Sequence, residues 1–546
     1  MVAARSERAS RNRYEGDGQS EHNIGHSKFQ LGPGFAERHQ NSILLCLVLV
    51  GAIVRATGLT DGSLAPDDTW VALTNLYSFS NTTHMLVTTP GFTLFEHLWT
   101  GLEPNSAWFA QLPTLVASAG GIVGCFFLVR FYRYPAWVAL IAATIFTISD
   151  ESTTYATALK PYAFDALLTM VLLWLGERVR RGPNWTTFAT LGLASVFCAF
   201  ISFSSAVVVV GVYLVLVGTV VAHRANIRQF ALATLPVALC IGLIYVGIIR
   251  SGVTTTLSAF WRNHYIDLSS PVALLDSSLH AAHGLVYLQL GFTPTAPHLQ
   301  LLGVLYAGVL CGAIVIGATW SWRRNMMPLG ILTTAAVLSM LHKIPLGSNR
   351  TDGYLIPTML LLVAGGITSI AQFASLRRET VRRISVAALL VCAAVLLALR
   401  VASNPTYPGG NISPAIASVD QDLRNPDVVV LIEATARYPW AYYADRSATL
   451  ILGPSFNTGF SVASSRRRII IAPTSFAEAA ENYAGVIPRL SRVTSVTSLA
   501  YDSQSPADHL RFQAAMSQAC FTLRGETIKA RYIVSRYKRT SPHCSR

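Results

Sequence analysis

Two carboxylates stand side by side in LAPDDTWVAL, residues 64 to 73, just past the first long apolar run of the chain. No Lys or Arg lies between residues 60 and 106 to neutralise Asp67 and Asp68. A single Asp in the first turn of TWVALTNLY would cap free N–H groups and suit the helix dipole. A pair exceeds what capping needs. Unpaired acids at a lipid boundary are costly unless they bind a cation or do chemistry. A carboxylate of raised basicity there suits general-base catalysis on an acceptor hydroxyl.

Two further stretches carry candidate groups. In SDESTTYATALKPYAFDALL, residues 149 to 168, Asp150 and Glu151 precede Tyr155, Lys160 and Tyr162. Pro161 sits where a helix tolerates proline, at its opening. Lys160 reads either as a snorkelling lysine or as an anion ligand. In HKIPLGSNRTDGYLIPTMLL, residues 342 to 361, Lys343 and Arg350 flank the start of another apolar run. Lys160, Lys343 and Arg350 together suit a lipid phosphate or diphosphate. Arg can grip such a group bidentately, and Lys acts as a point charge. Glu96 and His97 suit a place near Asp67 on an amphipathic helix and solvent-facing positions equally well, and WRNHY at 261–265 could stack on a sugar face, although His264, His280 and His283 read more simply as ordinary loop residues. Arg466, Arg467 and Arg468 read as a solvated strand edge.

These groups need elements to hold them. Of 546 residues, 52% are hydrophobic and only 13% charged, with mean hydropathy +0.43. A soluble domain carries about twice that charged fraction. Eleven apolar runs read as membrane spans, at 42–59, 107–128, 136–149, 161–178, 186–201, 205–222, 229–249, 299–319, 329–342, 353–373 and 385–402. The net charge of +14 then reports topology rather than nucleic acid, which is not expected as a partner. Lys and Arg gather in RFYR, ERVRR, HRANIR, SWRR and SLRRETVRR, on one set of connections. The opposite set holds only Lys160, Arg250, Arg262, Lys343 and Arg350. This predicts a multi-pass plasma (inner) membrane protein with a cytoplasmic N-terminus and an extracytoplasmic C-terminus.

Residues 1–41 are polar and read as a disordered cytoplasmic tail without a cleavage site. The outer connections at 60–106 and 250–298 are long and rich in aromatics, which predicts amphipathic helices on the outer leaflet. After the linker NPTYPGGNISP no run of span length recurs. Short β-rich runs, DVVVLIE, RRIIIAP and KARYIVSRY, alternate with helical patterns at 475–492 and 506–519. The expected architecture is therefore mainly α. It comprises a polytopic bundle over 42–403 and a small extracytoplasmic α/β domain over 404–546. Cys520 and Cys544, in an oxidising compartment, are candidates for a disulfide.

A carboxylate base, cations for a phosphate, aromatic loops and a lipid-embedded bundle together fit group transfer from a lipid phosphate. On these residues the chain resembles the GT-C superfamily of polytopic glycosyltransferases. The nearest branch is that of protein O-mannosyltransferases and lipid A aminoarabinose transferases. PDDTW places Asp67 and Asp68 where that branch has an Asp-Glu pair in its first outer loop. TYATALKPYAFDALL is similar to its Tyr-x-x-x-x-Arg-Pro-Tyr element through Tyr155, Pro161 and Tyr162, with Lys160 in place of Arg. Arg350 in NRTDGYLIP is similar to a late Arg of that branch, whereas Thr88-Thr89-Pro90-Gly91 departs from it by lacking a charged residue before the proline. The resemblance implies a polyprenyl-phosphate sugar as donor and an extracytoplasmic hydroxyl of envelope glycan, glycolipid or protein as acceptor. It further implies inversion at the anomeric carbon, with Asp67 as base. Asp68 would assist, and Tyr155, Lys160, Tyr162, Lys343 or Arg350 would bind the donor. Metal use stays open: a divalent cation beside Asp67 is compatible, and so is none. The rival reading is a transporter or flippase with ion-binding outer acids. A transporter's site belongs at broken or repeated helices near the midplane, and no inverted repeat is visible here.

Overall fold

The computed structural model describes residues 39–59, 64–74, 89–103, 106–222, 227–249, 261–291, 300–348, 351–375, 411–433, 436–452, 460–471, 490–498, 505–529 and 532–540. The polar N-terminal stretch, the apolar run at 385–402, Arg350, Cys544 and the helical pattern over 475–489 lie outside the described residues.

Ten of the eleven apolar windows are helical, because each is a run of good helix formers whose backbone must be satisfied within the lipid. They are α1 (Gln40–Ala56), α4 (Ala107–Phe131), α5 (Ala136–Ile148), α7 (Tyr162–Arg181), α8 (Trp185–Ile201), α9 (Phe203–Ala222), α10 (Ile227–Ile244), α12 (Gln300–Trp320), α13 (Met326–Met340) and α14 (Ile356–Ser375). Among the described residues, five helical segments are individually long and apolar enough to cross a bilayer. These are Ala107–Phe131, Phe203–Val221, Ile227–Gly247, Gln300–Trp320 and Gly353–Phe373. Large apolar side chains point outward from the bundle, with Leu193 75% and Leu243 73% exposed, as a lipid-facing surface requires. The chain is a multi-pass membrane protein. Where α12 meets α14 the contact is backbone on backbone. A Cβ on Gly317 would fall against the Leu362 carbonyl oxygen and one on Gly366 against that of Ala313, the close approach that small residues allow in membranes.

Among the described residues, both long connections, 60–106 and 250–298, contain helices. The first forms α2 (Pro66–Thr74) and α3 (Pro90–Thr100), and the second forms α11 (Pro271–His283), continued by a π turn over Gly284–Gln289. A short helix, α6 (Asp150–Thr154), is capped by the Ser149 hydroxyl, which accepts from the Ser152 N–H. α11 exposes Val272, Leu275 and Leu279, the apolar face an amphipathic surface helix needs. α2 exposes no such face. Thr69, Val71, Ala72, Leu73 and Thr74 are all buried, because the helix is wedged between the bundle and the C-terminal part of the chain.

That C-terminal part begins with α15 (Ser413–Asp422), β1 (Val428–Ile432) and α16 (Arg437–Ala444), followed by the hairpin β2 (Thr449–Leu452) and β3 (Phe460–Ala463). β4 (Ile469–Ile471), β5 (Arg492–Ser498), α17 (Ser505–Gln518), β6 (Phe521–Lys529) and β7 (Tyr532–Arg539) complete it. The main sheet has the order β4-β1-β5-β7-β6, with β1 parallel to β4 and β5 and β7 antiparallel to both neighbours. β5 begins at Arg492, so RVTSVTS is strand at the edge of a stretch whose pattern read as helix. Its Ser and Thr hide it from an apolar count, yet six of its seven residues are buried. Cys520 is disulfide-bonded, with its partner outside the described residues.

Candidate active site

α2 starts at a proline, and its first-turn amides already have an acceptor, since Asp68 and Thr69 donate to the Ala65 carbonyl. Asp67 and Asp68 occupy that first turn, where negative charge suits the helix dipole. Just ahead of the helix, the Leu64 N–H donates to Tyr443 Oη at 2.7 Å. Trp70 packs on Tyr438 with ring centroids 5.9 Å apart. α2 is thus clamped from above by α16 and from below by Phe92, Ala110 and Leu159.

Asp67 keeps 7% of its surface, whereas Asp68 is fully buried. One oxygen of Asp68 accepts from the Leu159 N–H at 2.9 Å, and the other has no hydrogen-bond partner among the described residues. The neighbouring Lys160 is also buried, its Nζ 4.1 Å from the centroid of the Trp70 ring. Burial pushes the Asp68 carboxyl up from its ordinary range, and Lys160 pulls it back. Burial pushes the Lys160 ammonium down, and Asp68 holds it up. Each is the other's main compensation for leaving water.

Glu96 joins them from α3. It is fully buried, and neither of its oxygens has a hydrogen-bond partner among the described residues. Burial, and then the charge of Asp68, push its pKa up to about 8. α3 is held at its N-terminal end by Thr89, whose hydroxyl donates to the Ile201 carbonyl. Gly91 lies so close to Phe200 that a Cβ there would clash with its backbone and ring. Near the other end, Trp99 stacks on Phe109 at 4.6 Å and donates to its carbonyl at 2.8 Å.

On the far side of Lys160, the Tyr155 and Tyr162 rings meet edge to face at 5.1 Å. A small pocket lined by Ser118, Glu151, Tyr155, Tyr162 and Ile356 lies beside them. A second group of acids stands there. Glu151 is buried, with both oxygens lacking a hydrogen-bond partner among the described residues. Burial and then the nearby Asp352 push its carboxyl well above the usual range. Asp352 accepts from the Ser348 N–H at 2.8 Å, and burial pushes its pKa up to about 7. Asp165, in the first turn of α7, accepts from the Ser202 hydroxyl.

The fold therefore brings together Asp68, Lys160, Tyr155 and Tyr162 from two loops, with Asp67 on the same turn as Asp68. Lys343 is exposed on the turn after α13, where its N–H donates to the Leu338 carbonyl, and among the described residues no contact joins its side chain to this cluster. His264 and His280 face one another at 5.5 Å, and His342 stacks on Tyr265 at 5.0 Å, in a patch of their own. The structure decides the place of one open residue and adds two others. Glu96 is an interior acid and not a solvent-facing one, and Asp352 belongs to the interior too. Arg55, in the last turn of α1, is buried and donates to the Ser118 hydroxyl at 2.7 Å and to the carbonyls of Phe146 and Thr147. An arginine inside an apolar run was the available signal for the last of these. Among the described residues no three His, Cys, Asp or Glu side chains gather in a metal-holding arrangement, so no step is assigned to a metal.

No protein-family model matches the chain, and no curated protein sequence does. Solved structures match over nearly its whole length. ArnT from Cupriavidus metallidurans in the apo state superposes with a TM-score of 0.50 at 15% identity, covering 91% of this chain and 98% of that one. The apo oligosaccharyltransferase of Archaeoglobus fulgidus gives 0.51 at 12% identity, over 90% of this chain and 73% of that one. The oligosaccharyltransferase AglB from the same organism, in complex with an inhibitory peptide and a dolichol-phosphate, gives 0.50 at 11%, over 89% and 73%. At such identities the likeness is one of fold: the chain shares the architecture of ArnT and of the oligosaccharyltransferase.

Proposed function

We propose that this protein is an inverting membrane glycosyltransferase that moves a sugar from a polyprenyl-phosphate donor to an extracytoplasmic hydroxyl. The observation that carries the reading is the buried Asp68–Lys160 pair on the loop helix that also bears Asp67, within a GT-C fold. The dolichol-phosphate in the similar AglB complex supports a lipid phosphate as the leaving group.

In this reading Asp67, the more accessible of the two acids, takes the proton of the acceptor hydroxyl. The oxygen then attacks the anomeric carbon from the face opposite the phosphate. The carbon–phosphate oxygen bond breaks, its electron pair leaves with the polyprenyl phosphate, and the configuration inverts. Asp68 fixes Lys160 and the turn that carries Asp67. Lys160 offsets the charge that develops on the leaving phosphate, the role the resemblance also gives to Lys343 or Arg350. Removing one such contact costs about 2–4 kcal/mol of barrier. Tyr155 and Tyr162 form an aromatic wall beside the sugar.

The test is transfer from radiolabelled polyprenyl-phosphate sugars in membranes, wild type beside Asp67→Asn at matched expression. Loss of about 10²–10⁴-fold in the variant is the expected result for a general base. Equal transfer by both would leave Asp67 a helix cap. No transfer by folded wild type from any donor would favour the transporter reading.

A further inference from the structure

The end of the C-terminal sheet farthest from the bundle carries a cleft of about 610 Å³. It is lined by Arg492 at the start of β5, Arg536 and Lys538 near the end of β7, Arg524 of β6, and Asp422 and Asn425 at the end of α15. The strand register explains the concentration of charge. Arg492 and Lys538 are directly opposite one another on antiparallel β5 and β7. Like charges so placed destabilise a sheet. Two positions along, Thr494 faces Arg536, so all four side chains share one face. The ladder between β6 and β7 slips between Leu523 and Gly525, a bulge at Arg524, which adds its guanidinium to the same cleft. Bulges of this kind re-aim side chains.

Only one of these charges is cancelled. Arg536 Nε donates to both oxygens of Asp422 at 3.0 and 2.9 Å, and Thr494 donates to the same carboxylate at 3.0 Å. Arg492, Arg524 and Lys538 are exposed and have no acidic partner among the described residues. The cleft thus presents three uncompensated cations around an acid already held in place.

We infer that this cleft binds an oxyanion-bearing glycan, through phosphate or carboxylate groups, at a distance from the reaction centre. Its volume exceeds what a lone phosphate fills and is in the range of sites that hold several linked rings. Gln421 and Asn425 add neutral amides at the rim for hydroxyl groups. Its place on the domain favours a soluble polymer over a lipid headgroup. The domain meets the bundle through α16, at the carboxyl end of β1, whereas the cleft lies at the amino end of β1 and β5. The seven residues of β5 put about 20 Å between those two ends. A chain long enough to span both sites would be held at one end while it reacts at the other. That the bound polymer is the acceptor rests on the transferase reading above; the binding itself does not.

The experiment uses the full chain in phosphatidylcholine nanodiscs without donor, and fluorescently labelled tetragalacturonate as the probe. Wild type is expected to bind it saturably and at least tenfold more tightly than uncharged maltotetraose. Raised salt should weaken binding, and Arg524→Gln/Lys538→Gln should weaken it at least tenfold. These side chains are exposed, so the variant keeps the fold, checked by thermal unfolding in the same discs. Absence of saturable binding to wild type, or equal binding by the variant, would overturn the inference. So would loss of probe binding in phosphatidylglycerol discs at constant salt, which would make the cleft a headgroup site. Intact binding beside absent sugar transfer would sink the transferase reading alone.

Discussion

At the scale of single residues, the site is governed by how few buried charges have partners. Lys160 and Asp68 offset each other's loss of water, so removing one strands the other. Lys160→Gln is expected to cost about 3–5 kcal/mol of stability, measured by thermal unfolding in detergent. Asp68→Asn combined with Lys160→Gln should recover part of that loss, because no charge is then left alone. Glu96 makes a pH prediction. Its folded value of about 8 lies above the ordinary 4.5. The folded state therefore holds a proton that the unfolded chain has released, and stability falls as pH rises from about 4.5 to about 8. Glu96→Gln should flatten the fall across that window, and an unchanged slope would mean that Glu96 is ionised in the native protein. The sequence made Asp67, Asp68, Lys160 and the two tyrosines visible because they sit in short polar interruptions of an apolar chain. It could not reveal that Asp68 meets Lys160, since their encounter depends on two loops ninety-odd positions apart folding onto one another. Nor could it reveal that Glu96 faces inward. The spacing in FEHLW looks the same on a helix that floats and on one pinned beneath another.

At the scale of elements, apolar periodicity was the dependable signal. Helices stand where ten of the runs predicted them, because in lipid a long apolar run has little alternative to a helix. What the runs do not encode is which faces touch. α12 and α14 meet through Gly317 and Gly366, where an added Cβ would come within 1.9 and 2.0 Å of carbonyl oxygens across the interface. Gly317→Val must push these helices apart. It should cost about 1–3 kcal/mol, read as a lower unfolding temperature in detergent. An unchanged temperature would show that the contact is loose. Polar strands were the blind spot. β5 reads RVTSVTS, and only its neighbours β1 and β7 bury it.

At the scale of the whole molecule, α2 with α3 and the C-terminal segment form one packing unit. Val71, Leu73, Phe92 and Leu159 share a hydrophobic cluster with Ile412, Val430, Trp440 and Val534. The Tyr443 hydroxyl ties the domain to the residue ahead of α2. Tyr443→Phe leaves the Leu64 N–H without that acceptor, at a cost of about 1–3 kcal/mol. The expected readout is faster limited proteolysis ahead of α2 together with reduced transfer, and an unchanged cleavage rate would mean that the clamp holds without this bond. The sequence marked a separate small domain from its change in composition, but not that this segment packs over the helix bearing Asp67 and Asp68. This shared core also has a consequence for biogenesis. A ribosome delivers Asp67 and Asp68 early and Trp440 and Val534 hundreds of residues later, after the last membrane helix. Until that final segment has folded, the acidic turn has no roof, so on the reading proposed above a truncated chain should be unable to transfer sugar, and activity would arrive only with the last residues made.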